Sequence, residues 1–355
     1  MDGAREALRE VAAAMPGDPE GLCAACGRVA DWDFLAAGAE RHGLAGILWR
    51  DLERAGVVPP PGAARRLREF LAVQRLRQPR LDADLDRVLS ALGSAGLPCA
   101  VLKGPPLGER LYGEAALRPC LDLDLLVAVA DLDQAVAALD AAGWRAHGGP
   151  TARWQRRHHH HLVLQRPGAT GVELHFRALT GFGGALPAED LLGRAAPGEF
   201  RGRPVRRLAA EDEVLHLAVH AAGHGLGRLL WLVDIKAFLA SHPGLDWVAV
   251  RRRARACGLG RAASWAFAAV ADLGAPVPPD ARALSPARRR AAEQAARTAV
   301  GGARPWSTAA SLVLNAILAD RWLAAAHFLT VNLARVVRRR AARALGSRGP
   351  QEWKA

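Results

Sequence analysis

The spacing of apolar positions changes several times along the chain, and each change predicts an element. Leu35, Ala39, Leu44, Ile47, Leu48 and Leu52 recur close to helical period. Val57-Val58 and then Pro59, Pro60 and Pro61 break that pattern. A long helix is predicted over 63–94, closing at Gly96-Leu97-Pro98, with its arginines and aspartates on a solvated face. Residues 97–102 form a short apolar run, a strand, that ends at Lys103-Gly104. A Pro- and Gly-punctuated connection follows, with a short helical turn over 112–117. A second apolar run, 125–129, opens on Asp122-Leu123-Asp124. Asp131 followed by Gln134 predicts a capping box for a helix over 132–142, with Gly143 as its C-cap and a strand from Trp144.

Residues 161–165 and 172–176 each alternate, and 166–171 reads as a turn, so a β-hairpin is predicted. On its second arm Val172, Leu174 and Phe176 face one way and Glu173 and His175 the other. A Pro/Gly-rich connection is expected over 183–204. Helices resume at 209–213, an acidic first turn at the positive end of a helix dipole. That helix ends near Gly223-His224-Gly225, and another begins at Leu229. The remainder reads as helical, with breaks at 276–280 and Gly301-Gly302. The stripe over 311–343 ends in Arg335, Arg338, Arg339, Arg340 and Arg343. Membrane-docking helices share that pattern with terminal helices packed on a body; the packed helix is expected, followed by a loose tail at 346–355. The fold class is therefore α+β: a small mixed sheet with flanking helices, between N-terminal and C-terminal helical regions.

Composition adds less. Half the residues are hydrophobic and 23% are charged, ordinary for a globular protein, and 355 residues suffice for two or three cores. The net charge of +13 admits an anionic partner, nucleic acid included. Triplets such as Arg251-Arg252-Arg253 and Arg288-Arg289-Arg290 read instead as solvated helix faces, and one tyrosine with eight phenylalanines makes a poor stacking platform for single strands. Nucleic acid is thus not favoured. The five cysteines make no disulfide framework; Cys23 and Cys26 have metal-ligand spacing but no second pair, so packed thiols are expected. The first fifteen residues contain no apolar signal segment, and Asp320 and Arg321 interrupt the longest apolar stretch. A cytoplasmic enzyme is expected.

The chemistry concentrates in 97–129. On a strand, Asp122 and Asp124 point to the same side. Adjacent carboxylates repel, and burying them unpaired is costly. A divalent cation resolves this, and hard oxygen ligands suit Mg²⁺. With a Lys-Gly turn and Arg118 upstream, the arrangement suits metal-assisted phosphoryl or nucleotidyl transfer. Lysine occurs only at 103, 236 and 354, so Lys103 beside a glycine at a strand end stands out.

Lys103, Gly104, Tyr112, Arg118, Asp122 and Asp124, in the stretch LKGPPLGERLYGEAALRPCLDLDLLV, resemble the motif of the uncharacterised nucleotidyltransferase family, within the DNA polymerase beta-like nucleotidyltransferase superfamily. HGLAGILWRDLERAGVVP and HAAGHGLGRLLWLVDIKAFL resemble its helical segments. The wider superfamily has Gly-Ser where this chain has Lys103-Gly104, and a shorter gap to the carboxylates. The resemblance implies an N-terminal helical region over 1–95, a nucleotidyltransferase-like core over 96–205 and a C-terminal helical domain over 206–345. It implies that Glu173 supplies a third carboxylate, so that Asp122, Asp124 and Glu173 hold Mg²⁺ or Mn²⁺. The alternative for Glu173 is a solvent-facing position on an edge strand. Lys103 and the Gly104 backbone would contact the phosphates of a nucleoside triphosphate, ATP being the expected one, and Arg118 would do the same or pair with the carboxylates when metal is absent. The reaction implied is NMP transfer to a hydroxyl on a small molecule, peptide or protein, with a natural product or peptide as one class of acceptor. A non-catalytic binding module and a phosphotransferase are the rival readings.

Two histidine groups stand apart. His216, His220 and His224 fall on one helix face. A metal site, a polar wall of the active site contributed by His220 and His224, and packing of half-buried imidazoles all fit that spacing. The run His158–His161 alternates faces if it is a strand; a zinc site there would need imidazoles converging from elsewhere. Asp234, inside an apolar helix, reads as a substrate-side carboxylate or as the partner of a His or Arg.

Overall fold

The computed structural model describes residues 2–146, 159–300 and 308–321, with 323, 326 and 330. His158 and the basic end of the 311–343 stripe lie outside the described residues, as does the tail.

The chain opens with helices α1 (Asp2–Ala14), α2 (Pro19–Cys26), α3 (Trp32–Arg41), α4 (Ala45–Ala55) and α5 (Pro61–Ser94). Side chains of Asp18 and Asp31 accept from Gly21 N and Phe34 N, each at 2.8 Å, and start α2 and α3. The single periodic stretch over 33–55 is two helices. Gly43, at φ +75°, turns the chain between them. The apolar period survives the break because Leu35, Ala39, Leu44, Ile47, Leu48 and Leu52 all enter one core. Cys23 is exposed and Cys26 is buried in that core.

Helix α5 serves two cores in turn. Leu67 and Leu71 pack among the N-terminal helices. Leu81, Leu85, Val88 and Leu92 lie under the sheet. Pro79 sits inside the helix between the two stretches and removes a backbone donor there. Asp84, buried on α5, accepts from Thr170 N at 2.7 Å and ties the helix to the sheet.

The sheet contains β1 (Cys99–Val101), β2 (Asp122–Val127), β3 (Arg145–Ala146), β4 (His161–Gln165) and β5 (Gly171–His175). Its order is β1-β2-β5-β4-β3, with β2 and β5 parallel and the other pairs antiparallel. One face is apolar: Leu123, Leu125, Val127, Leu162, Leu164, Val172 and Leu174 pack on α5 and on α7 (Leu132–Ala141). The other face carries the polar residues. The punctuated connection after β1 is mostly helix α6 (Pro105–Tyr112), followed by a 3-10 turn at Ala115–Leu117. Two prolines at its start do not oppose this, because the first helical residues need no amide partner. Gly108 lets α6 approach that turn, since a Cβ there would meet Ala115 O at 3.0 Å and Arg118 Cβ at 3.1 Å. The capping box at α7 does not form: Asp131 makes no side-chain cap, and Gln134 donates instead to Ala95 O at 3.3 Å. Gly143 follows that helix with φ +94°.

The expected loop over 183–204 holds structure of its own. Hairpin β6 (Arg177–Gly181) with β7 (Gly184–Pro187), helix α8 (Ala188–Arg194) and hairpin β8 (Ala196–Phe200) with β9 (Arg203–Arg207) fill it. Apart from Gly193 in α8, its prolines and glycines sit at hairpin ends and on two-stranded edges, where a missing donor is tolerated. Helices α9 (Ala210–Gly223), α10 (Leu229–Ser241), α11 (Trp247–Ala256), α12 (Gly260–Ala271), α13 (Pro286–Val300) and α14 (Thr308–Leu318) follow. Helix α10 is buried nearly all round: Leu232, Ile235, Phe238 and Leu239 face the C-terminal core, while Leu230, Val233 and Ala237 face the N-terminal one. Among the described residues no helix is long and apolar enough to cross a membrane. Three members of the arginine triplets are ion-paired rather than merely solvated: Arg251 meets Asp280, Arg253 meets the buried Asp212, and Arg289 meets Asp272 and Glu293.

Candidate active site

Sheet register assembles the carboxylates. Asp124 stands directly across from Glu173 in the parallel β2–β5 pair, and Asp122 shares their face two residues earlier. His175 is next along that face on β5, and His161 of β4 lies opposite His175. The structure thus groups three acids with two imidazoles.

The group is densely paired. His175 Nε2 lies 3.2 Å from Asp124 Oδ1 and 3.4 Å from Glu173 Oε2. Lys103 Nζ lies 3.1 Å from the same Asp124 oxygen. Burial alone would raise the Asp124 pKa, but the Lys103 ammonium and His175 hold it well below the usual carboxylate range. Glu173 is also lowered, burial being outweighed by His175 and His161. His175 is raised, because Asp124 and Glu173 overcome its burial. Among the described residues Asp122 has no such neighbour in contact. Burial, then repulsion from Asp124 and Glu173, pushes its carboxyl up to about 6.

Lys103 reaches this place because β1 pairs with β2 and Leu102 N donates to Asp124 O at 3.0 Å. Gly104 then turns the chain into α6 with φ +82° and ψ −152°. On its far side Lys103 Nζ lies 3.0 Å from His220 Nε2. The ammonium can only donate, so His220 accepts there and carries its proton on Nδ1. Burial and Lys103 lower the His220 pKa accordingly. Trp231 of α10 packs on both His220 and His224, with ring centroids 5.2 and 4.9 Å apart. His216 is buried one turn deeper and its pKa falls to about 3 through desolvation. The i, i+4, i+8 spacing of the three histidines thus runs from the core past Lys103 to an exposed end at His224.

Arg118 is engaged elsewhere. Its guanidinium forms a buried fork on Asp234, with Nη2–Oδ2 at 2.9 Å and Nε–Oδ2 at 3.0 Å. The Tyr112 hydroxyl donates to Asp234 Oδ1 at 2.7 Å. Burial, with Asp234 beside it, raises the Tyr112 pKa well above its ordinary value. Asp234 is therefore the partner of an arginine, one of its two readings. Arg118, read from the sequence as a phosphate contact, directs Nε and Nη2 to Asp234 inside the protein.

The residues fit a divalent cation. One ligand atom each from Asp124, Glu173 and His175 lies within 4.8 Å of the others. Crowded acids with one carboxyl pushed up are the charge imbalance that such an ion relieves. Asp122, Asp124 and Glu173 supply hard oxygen donors, and His175 adds a nitrogen. The strand alternation that puts His175 beside Glu173 was visible in the sequence. The pairing of His161 with His175, and of Lys103 with His220, depends on register and helix docking and was not.

The sequence profile described as "Uncharacterised nucleotidyltransferase" matches residues 28–274. Among solved structures, one described as the solution structure of the antibiotic-resistance factor ANT(2'')-Ia matches at 17% identity and a TM-score of 0.35, over 49% of this chain and 89% of that one. No curated protein matches the chain. The matched residues take in the N-terminal helices from α3, the whole described sheet and α10, and on that evidence the chain belongs to the uncharacterised nucleotidyltransferase family.

Proposed function

We propose that this protein transfers a nucleoside monophosphate from a nucleoside triphosphate, ATP first among them, to a hydroxyl on an acceptor molecule, with release of pyrophosphate. The observation that carries this reading is Asp122, Asp124 and Glu173 on one sheet face, Asp124 directly across from Glu173, with Lys103 beside them. Family membership makes transfer of a nucleotide the natural chemistry for that group.

Asp122, Asp124 and Glu173 would hold Mg²⁺ or Mn²⁺. Such an ion, when bound, neutralises triphosphate charge and makes the acceptor hydroxyl more acidic. The acceptor oxygen forms a bond to the α-phosphorus as the bond to the bridging oxygen of the β-phosphate breaks; the hydroxyl proton is released and pyrophosphate leaves. Lys103 is held by Asp124 and His220 and can turn from the carboxylate to a phosphate oxygen as a point charge. His220 stays neutral there and keeps Lys103 oriented. The Gly104 backbone, free of a side chain, admits phosphate close to the start of α6. The acceptor is a small molecule, peptide or protein, a natural product or peptide being one class.

The test is a reaction with mixed nucleoside triphosphates, Mg²⁺ and a panel of hydroxyl acceptors, with products weighed by mass spectrometry. An added NMP with pyrophosphate supports the proposal; an added phosphoryl group with a nucleoside diphosphate replaces it with phosphotransfer. Asp122→Asn and Asp124→Asn should each lower turnover by roughly a hundred- to a thousandfold or more, the scale of removing a charge-stabilising group, while circular dichroism stays unchanged. Turnover equal to the parent in either variant would remove the assignment.

A further inference from the structure

Three imidazoles meet at the edge of the carboxylate group. The ring centroids of His160 and His161 lie 4.5 Å apart, those of His161 and His175 5.0 Å, and those of His160 and His175 5.5 Å. One nitrogen of each lies within 4.8 Å of the others. A Zn–N bond is about 2.0–2.1 Å, which sets the centroids of three imidazoles around a tetrahedral ion about 5.2 Å apart. The observed spacings bracket that figure.

The fold explains how neighbours in sequence share one side. His161 begins β4 opposite His175. His160 lies before the strand starts, so strand alternation does not govern it. Its carbonyl accepts from Phe176 N at 3.0 Å and from Arg177 N at 3.2 Å, which anchors that bend beside β5. Two nitrogens in the group lack a hydrogen-bond partner among the described residues: Nδ1 of His161 and Nδ1 of His175, the latter side chain only 5% exposed. Orphaned buried nitrogens are costly, and each marks something the protein alone does not supply. Glu173 Oε2 lies 3.8 Å from His161 Nδ1, too far for a hydrogen bond and near enough to share an ion.

We propose that His160, His161 and His175, with the Glu173 carboxylate as fourth donor, form a site for a divalent transition ion of the Zn²⁺ class. Neutral imidazole suits such ions, whereas Mg²⁺ takes oxygen; Glu173 and His175 border both donor groups, and His160 and His161 are what set this one apart. This inference does not depend on nucleotidyl transfer and stands or falls separately from it.

The full chain is stripped with a chelator, and Co²⁺ is added as the probe while visible absorption is followed. The expected result is the intense band of a four-coordinate, nitrogen-rich site, abolished by Zn²⁺ and not abolished by excess Mg²⁺. The double variant His160→Ala/His161→Ala should lose the band and bind Co²⁺ more weakly by more than the roughly 10–100-fold that loss of a supporting hydrogen bond to a ligand costs. Asp122→Asn should keep the band. If the parent shows only the weak band of a six-coordinate oxygen site, the proposal is overturned, whatever the variants do. A double variant that keeps its circular dichroism and the band would overturn it equally. Mg²⁺-dependent pyrophosphate release, assayed on the same parent protein, reports on the nucleotidyl reading alone.

Discussion

The fork of Arg118 on Asp234, with Tyr112 on the same carboxylate, shows what a short motif can hide. Tyr112 and Arg118 stand in the stretch that resembles the family motif, and the sequence suggested a phosphate contact for the arginine. Their shared partner lies 122 and 116 residues further on. All three groups are buried, so each depends on the others for charge balance. Breaking a buried pair from one side leaves an uncompensated charge; Asp234→Ala should therefore cost about 3–5 kcal/mol, measured by denaturant unfolding. Tyr112→Phe removes one hydrogen bond to a charged acceptor and should cost about 1.5–3 kcal/mol. Replacing the pair together, as Arg118→Met/Asp234→Leu, should recover most of the loss, because no lone charge remains. A double variant no more stable than Asp234→Ala would contradict this account. The motif residues were legible; their task was not, because a side chain's partner across such a separation is decided by how α6 and α10 dock.

At the scale of elements, the strands that carry the acids were readable because their two faces differ so sharply. Alternation alone separates Leu123 and Leu125 from Asp122 and Asp124, and Val172 and Leu174 from Glu173. Helix α6 and the hairpins after β5 were not readable, because prolines at a helix start and in two-stranded ribbons look like loop signals. The passage from β1 into α6 rests on Gly104. A Cβ there would sit 3.6 Å from Cys120 Sγ, an ordinary contact, so space is not the obstacle. The backbone is: φ +82° with ψ −152° is a region essentially reserved for glycine. Gly104→Ala should destabilise the protein by about 1–3 kcal/mol, and a second substitution, Cys120→Ala, should restore nothing. Rescue by Cys120→Ala in a thermal melt would mean that crowding was the cause.

For the whole molecule, burial of histidines decides the response to acid. His42 and His161 have pKa values lowered to about 4, and His216 to about 3, each mainly by desolvation. In the unfolded chain the same rings take up protons near 6.5. Between those values the unfolded state binds more protons, so their contribution is complete above about 6.5 and is lost as pH falls. Asp124 and Glu173, lowered in the fold, also lose their contribution in acid. Asp122, raised to about 6, works in the opposite sense, as do Asp51, Asp82, Asp212, Glu213 and His175, whose pKa values are also raised; the prediction is that the lowered histidines outweigh them. The melting temperature of the chelator-treated protein should therefore fall steadily from about pH 7 to about pH 5; a rise over that window would refute the balance. The sequence by itself determined the α+β class and the strand that carries Asp122 and Asp124, since these follow from period-two alternation and short-range turn chemistry; that Glu173 faces with them was implied by the family resemblance and is decided by the register of β5 on β2. Tertiary structure alone decided that Lys103 sits between Asp124 and His220, that Arg118 is spent on Asp234, and that His160 and His161 meet His175. The first two join segments far apart in the chain and the third depends on exact strand register, and only the packing of helices on the sheet and the register of β4 on β5 can bring such partners within bonding distance.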